Sequence, residues 1–166
     1  MFSFYQNHSN LLYIKLVDLS RNIFFHKEIG LKDNFETRIN LIFIHFSLLL
    51  IIFKKLKKDF PQDIFDNIFQ NIEYHIRELG YGDVAVNKKM KTLLHIFYDI
   101  LLKVRENSGE KNLINKKILS NYLEPQNKMK SSQLINDLAN YFQKYYYFCF
   151  ELENNSVLKG QINFKY

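Results

Sequence analysis

The sequence predicts an all-α fold: one irregular bundle of about six helices over residues 8–153, followed by an extended C-terminal tail over residues 154–166. Three observations predict it. A chain of 166 residues, 47% hydrophobic, can bury one sizeable core and is too short for two ordinary domains, so residues 1–166 are expected to form a single domain. Five glycines and two prolines leave few places for sharp turns, which favours long helices over the many turns of a β-sandwich. Along most of the chain, apolar residues recur at the three- and four-residue steps of a helix.

Taken in order, Tyr13, Leu16, Val17, Ser20 and Phe24 put one face of a first helix on the core, and this helix should end by Gly30. Asp33, with Glu36 after it, has the spacing of a capping box and should start the second helix. That helix is the most apolar. From 39 to 53 only Asn40, His45 and Ser47 interrupt it, and a helical rise of about 22 Å falls short of the roughly 30 Å core of a bilayer. A buried central helix is therefore expected rather than a transmembrane span.

Pro61 suits the first turn of a third helix, whose apolar face reads Ile64, Phe65, Ile68, Phe69, Ile72, Ile76 and Leu79. Gly80 should close it in the left-handed conformation. Gly82 continues a tight turn with positive φ, and Asp83 caps the next helix. Met90, Leu93, Leu94, Phe97, Leu101 and Val104 mark the core face of that helix. Residues 107–111 read as a polar loop, 112–123 as a shorter helix stopping before Pro125, and 124–130 as an exposed connection. Leu134, Leu138, Tyr141, Phe142, Tyr145 and Phe148 define a last long helix. Of the three tyrosines at 145–147, one or two must reach solvent or a client.

The net charge of +6 is weak evidence for a nucleic-acid partner. The abundance of Lys, Asn, Ile, Phe and Tyr is what an AT-rich coding sequence produces without selection for an acidic partner. No specific DNA binding is expected. Lys54, Lys55, Lys57 and Lys58 follow the apolar helix. They read either as a solvated end that suits the helix dipole, or as a contact with anionic headgroups or ribosomal phosphate. The single cysteine, Cys149, sits among aromatics and reads as a buried thiol in a reducing compartment. The start of the chain has neither a secretory signal pattern nor an Arg-rich presequence, so a cytoplasmic bacterial location is expected.

Chemistry is hard to find. The five histidines show no metal-ligand spacing, no Ser sits in a nucleophile elbow, and Gly80-Tyr81-Gly82 lacks the third glycine of a dinucleotide loop. No cofactor, metal site or enzymatic activity is expected.

The densest signal runs through Ile76-Arg77-Glu78-Leu79-Gly80-Tyr81-Gly82-Asp83, then Val86, Lys88, Lys89, Met90, Lys91, Phe97 and Tyr98. This resembles the ubiquinol-cytochrome c chaperone family, whose helix-turn-helix carries an L-R-E-x-G-x-G-D turn, a K-x-M-K start to the next helix and an F-Y pair. Ile76 replaces the usual Leu. Upstream, Tyr13, Leu16, Val17, Ser20 and Arg21 resemble the family's opening helix, and Arg38, Leu41, His45, Leu48 and Leu49 its R-x-x-L-x-x-x-H helix. Residues 50–58 depart from the family's more polar helix end. The resemblance covers roughly residues 11–105, with weaker support at Leu158, Gly160, Ile162 and Phe164.

The resemblance implies a non-enzymatic assembly factor for the cytochrome bc1 complex (respiratory complex III), with newly made cytochrome b as client. It further implies a setting beside a small partner protein and the ribosome, peripheral to the bacterial inner membrane or on the matrix side in mitochondria. Arg38, His45, Arg77, Glu78, Gly80, Gly82, Asp83, Lys88 and Lys91 are the expected partner-binding residues. Arg38 and His45 are seven apart on one helix face, and a buried Arg38 would need Glu78 or Asp18 as counter-ion. The rival expectation is a membrane- or ribosome-surface module anchored by Lys54, Lys55, Lys57 and Lys58 together with the lysines at 88–91.

Overall fold

The computed structural model describes residues 11–108, 111–127 and 132–166. Among them the helices are α1 (Leu11–Ser20), α2 (Phe35–Lys55), α3 (Gln62–Glu78), α4 (Asp83–Lys103), α5 (Lys116–Tyr122), α6 (Ser132–Phe150) and α7 (Asn154–Leu158), with a π-helical turn at Phe24–Glu28. Residues 8–10 and 128–130 of the expected core and connection lie outside the described residues.

The apolar α2 is the central helix: α1, α4 and α6 pack on it, and every residue from Leu41 to Leu49 is buried. It is long and apolar enough to cross a membrane by length and composition, but other helices of the bundle cover it. Its start is one residue later than expected. Asn34 is the cap, accepting a hydrogen bond from the Thr37 N–H at 2.9 Å, and Asp33 is left for another use. On one flank of α2 the rings of Phe43, Phe46, Phe65 and Phe69 all lie within 6 Å of Phe97, which ties α2, α3 and α4 into one aromatic cluster. On the other flank α6 buries Leu138, Tyr141, Phe142, Tyr145, Tyr146 and Cys149, while Tyr147 is exposed.

The expected core face of α1 is rotated. Leu16 and Ser20 of the expected face are buried, with Leu12 and Leu19 buried beside them, while Tyr13 and Val17 sit at the core's edge. The α1 helix also stops at Ser20, and the chain reaches Gly30 through the π-helical turn. The polar stretch expected as a loop and helix start forms an antiparallel hairpin instead, β1 (Arg105–Ser108) with β2 (Lys111–Ile114). Helix α5 therefore begins only at Lys116, capped by the Asn115 side chain. Residues 124–126 are more than an exposed connection: Pro125 is buried, the Lys32 N–H donates to the Glu124 carbonyl at 2.9 Å, and the Gln126 N–H donates to the Gly30 carbonyl at 2.8 Å.

The tail opens with α7, and residues 161–166 have no regular structure but are held against the bundle. Ile162 is buried, and Phe164 packs on Tyr141, Tyr145 and Phe148. Gly160 allows this docking. Its φ is +71°, and a Cβ there would come within 2.5 Å of the Leu11 carbonyl oxygen.

Candidate partner-binding surface

The α3–α4 turn is set by backbone chemistry. Leu79 ends α3, and Gly80 follows at φ +95° with its N–H on the Arg77 carbonyl at 2.9 Å, the left-handed cap expected of it. Gly82 differs from expectation: its φ is −75°, and it occupies the cap position of α4, its carbonyl accepting from the Val86 N–H at 2.9 Å. Asp83 is thus the first helical residue rather than the cap. Its carboxylate receives the Arg77 guanidinium, which also donates to Glu73 at 2.9 Å. Asp83 first, then Glu73, raise the Arg77 pKa, so this arginine is a clamp between α3 and α4 and not a free charge.

What the turn presents outward is apolar. Leu79 is 53% exposed, Tyr81 42% and Val84 85%. Leu79 was expected on the core face of α3, and the end of the helix carries it past the core. Beside them a groove of about 440 Å³ runs between the start of α2 and α4, lined by Phe35, Ala85, Leu93 and Ile96, with Lys88 and Lys89 along its edge. Lys89 lies over the Tyr81 ring, 4.5 Å from its centroid. Lys91 is exposed and does not line the groove.

Phe35 also borders a second hollow. It stacks on His75, ring centroids 5.5 Å apart, and beyond the pair lies a cleft of about 380 Å³ between α1, α2 and α3, lined by Tyr13, Val17, Arg21, Asp33, Arg38 and Leu79 among others. Arg38 is half-buried here and donates from Nε to Asp33 at 2.7 Å, so neither Glu78 nor Asp18 is its counter-ion. The same hydrogen bond holds the Asp33 carboxyl below the usual carboxylate range. Burial pushes the Tyr13 hydroxyl up, with Arg21 opposing the shift and the exposed Glu78 adding to it.

His45 is fully buried, which corrects its expected place on a partner surface. Its Nδ1–H donates to the Leu41 carbonyl at 2.7 Å, because a carbonyl can only accept. Nε2 therefore accepts from the Tyr141 hydroxyl at 2.9 Å. Burial lowers the imidazole pKa to about 4, despite the opposing bond to Leu41. Nearby, burial pushes the Cys149 thiol up to about 12, as suits an inert core cysteine.

At the far end of α2, Lys54, Lys57 and Lys58 surround a shallow hollow with Phe53, Asp59 and Phe60, and Lys55 lies 5.6 Å from the Phe150 ring centroid. The Lys57 N–H bonds the Lys54 carbonyl and the Lys58 N–H the Phe53 carbonyl, the pattern that usually seats glycine, and Lys57 takes φ +54°. This cluster is about 30 Å along α2 from Phe35 and hence from the lysines at 88–91.

The family model described as ubiquinol-cytochrome C chaperone matches residues 27–164, a span that holds the turn, the groove and the docked tail as far as Phe164. The chain belongs to the ubiquinol-cytochrome C chaperone family. Its fold is similar to the crystal structure of the Cbp3 homolog from Brucella abortus, with a TM-score of 0.67 and 19% identity over 95% of this chain and 88% of that one. No curated protein matches the chain. Membership in this chaperone family carries the role of an assembly factor for the cytochrome bc1 complex. Of the residues expected at the site, Arg77, Gly80, Gly82 and Asp83 build the turn, Lys88 edges the groove and Arg38 the cleft. Tyr81 and Val84 were missed as surface residues and Phe35 as a wall of the groove and cleft, though Val84 carried a signal: it falls off the Val86, Met90, Leu93 and Phe97 stripe.

Proposed function

We propose that this chaperone binds newly made cytochrome b without turnover, through the apolar patch of the α3–α4 turn and the adjoining α2–α4 groove. The observation that carries the reading is the gathering of Leu79, Tyr81 and Val84 in solvent on a turn fixed by Gly80 and the Arg77–Asp83 clamp. A rigid apolar surface loses little entropy on binding an apolar segment, and the lysine edge faces water around it. Arg77, Asp83 and both glycines serve by holding this surface, whereas Lys88 and Tyr81 would touch the client. The setting that fits is the face of the membrane where cytochrome b is inserted, with a small partner protein or the ribosome as further contacts.

The test is affinity purification of tagged chain from native membranes. Cytochrome b should accompany the wild type and fall at least tenfold with Val84→Asp, while thermal melting is unchanged. Recovery of cytochrome b undiminished by Val84→Asp, or its absence from the wild type, sinks the reading.

A second reading has its own observation: Lys57 holds a left-handed conformation that glycine would take at lower cost. A positive charge kept at that cost supports a contact of the Lys54–Lys58 end with anionic lipid or ribosomal phosphate. Loss of vesicle flotation on replacing the four lysines by Gln tests it.

A further inference from the structure

The α1–α2–α3 cleft contains a guanidinium, that of Arg21, whose field reaches Asp33 and Tyr13 without a direct ion pair. Arg21 follows the last turn of α1 with its side chain on the cleft wall, and among the described residues no carboxylate lies within ion-pair distance of it. Arg38, on the same wall, is already matched by Asp33. The lining thus carries two guanidiniums against one carboxylate. The Tyr13 hydroxyl adds a donor with no hydrogen-bond partner among the described residues.

Around these polar groups the wall is apolar, with Val17, Ile39, Ile42 and Leu79. A volume of about 380 Å³ is at the small end for ligand pockets. Glu78, exposed near Tyr13, makes a multiply charged anion such as phosphate a poor fit. The apolar character also continues out of the cleft. Ile14, 57% exposed, shares a stripe of α1 with Val17 and Arg21, and Leu79 leads towards the turn. A free small acid would leave that surface uncovered, whereas a polypeptide would lie along it.

We propose that the cleft recognises an acidic side chain of the client polypeptide, an Asp or Glu flanked by apolar residues, with Arg21 as its ionic partner and Tyr13 as a second donor. This rests on the client-binding reading above and adds the chemistry by which one segment of the client is chosen.

The test is methyl NMR titration of the full chain with three probes: N-acetyl-Leu-Glu-Leu-amide, its Gln counterpart and hexanoate. The Glu peptide should shift the methyls of Val17, Ile39 and Leu79 and bind at least tenfold more tightly than the Gln peptide. Arg21→Gln, a change at an exposed position that should leave melting unaltered, should erase that preference. Equal affinity of the two peptides, shifts confined to another part of the bundle, or a preference that survives Arg21→Gln overturns the proposal. Hexanoate binding as tightly as the Glu peptide overturns the choice of a polypeptide. Should the peptide preference hold while cytochrome b is missing from the affinity purification, the carboxylate site stands and the identity of the client falls.

Discussion

His45 and Arg38 show what a seven-residue spacing can and cannot say. It puts both on one angular face of α2, yet Arg38 stands half-buried at the cleft and His45 is fully enclosed. Periodicity gives the direction of a side chain but not its depth along the helix, and depth separates a surface arginine from a core histidine. The buried imidazole has a measurable consequence. Unfolded, it takes a proton near pH 6.5, and folded only near pH 4, so its contribution to stability is fully present above pH 6.5 and is lost as pH falls through 4. The loss should approach about 1.4 kcal/mol per pH unit within that window, roughly 3 kcal/mol in total. Urea denaturation of wild type and His45→Gln at pH 7, 5.5 and 4.5 measures it. The wild-type slope should disappear in the variant, and a parallel decline of both would rule out His45 as its source. Removing the donor instead, with Tyr141→Phe, leaves Nε2 buried and unsatisfied and should cost about 1–3 kcal/mol at pH 7.

At the scale of elements, the long amphipathic helices were legible because each carries an apolar stripe longer than three turns, as α3 does from Ile64 to Ile76. The β1–β2 hairpin was not. It rests on backbone pairing in a polar stretch with no apolar period, and nothing local distinguishes that from a loop. The glycines divide in the same way. Gly80 was readable from its place after a helix end, and a Cβ there meets no atom within 4 Å. Gly80→Ala should therefore cost only the left-handed backbone term, about 1 kcal/mol. Gly160 serves a close approach to α1 that no local pattern announces. Gly160→Ala adds a clash with the Leu11 backbone to the same strain. It should cost clearly more than Gly80→Ala in denaturant melts and raise amide exchange in residues 161–166, whereas equal costs would mean that the tail does not depend on this contact.

Across the whole molecule, the two lysine groups that the sequence allowed as one anchor occupy opposite ends of α2, because Phe35 lines one groove with Lys88 and Lys89 while Lys54 is a helix length away. The molecule therefore has two poles: an apolar patch with a lysine edge at the α3–α4 turn, and a basic end at residues 54–58. This separation makes the two functional readings independently testable. Replacing Lys54, Lys55, Lys57 and Lys58 by Gln alters only exposed side chains, so it should abolish flotation with phosphatidylglycerol vesicles at low salt and leave cytochrome b capture intact. Val84→Asp should do the reverse. Electrostatic contact at the basic pole should also weaken between 50 and about 300 mM salt, as the Debye length shortens, while capture through Leu79, Tyr81 and Val84 should hold. If both variants lose both activities, the poles act as one surface in the bound state, and the client must then reach along α2 from the turn to the basic end.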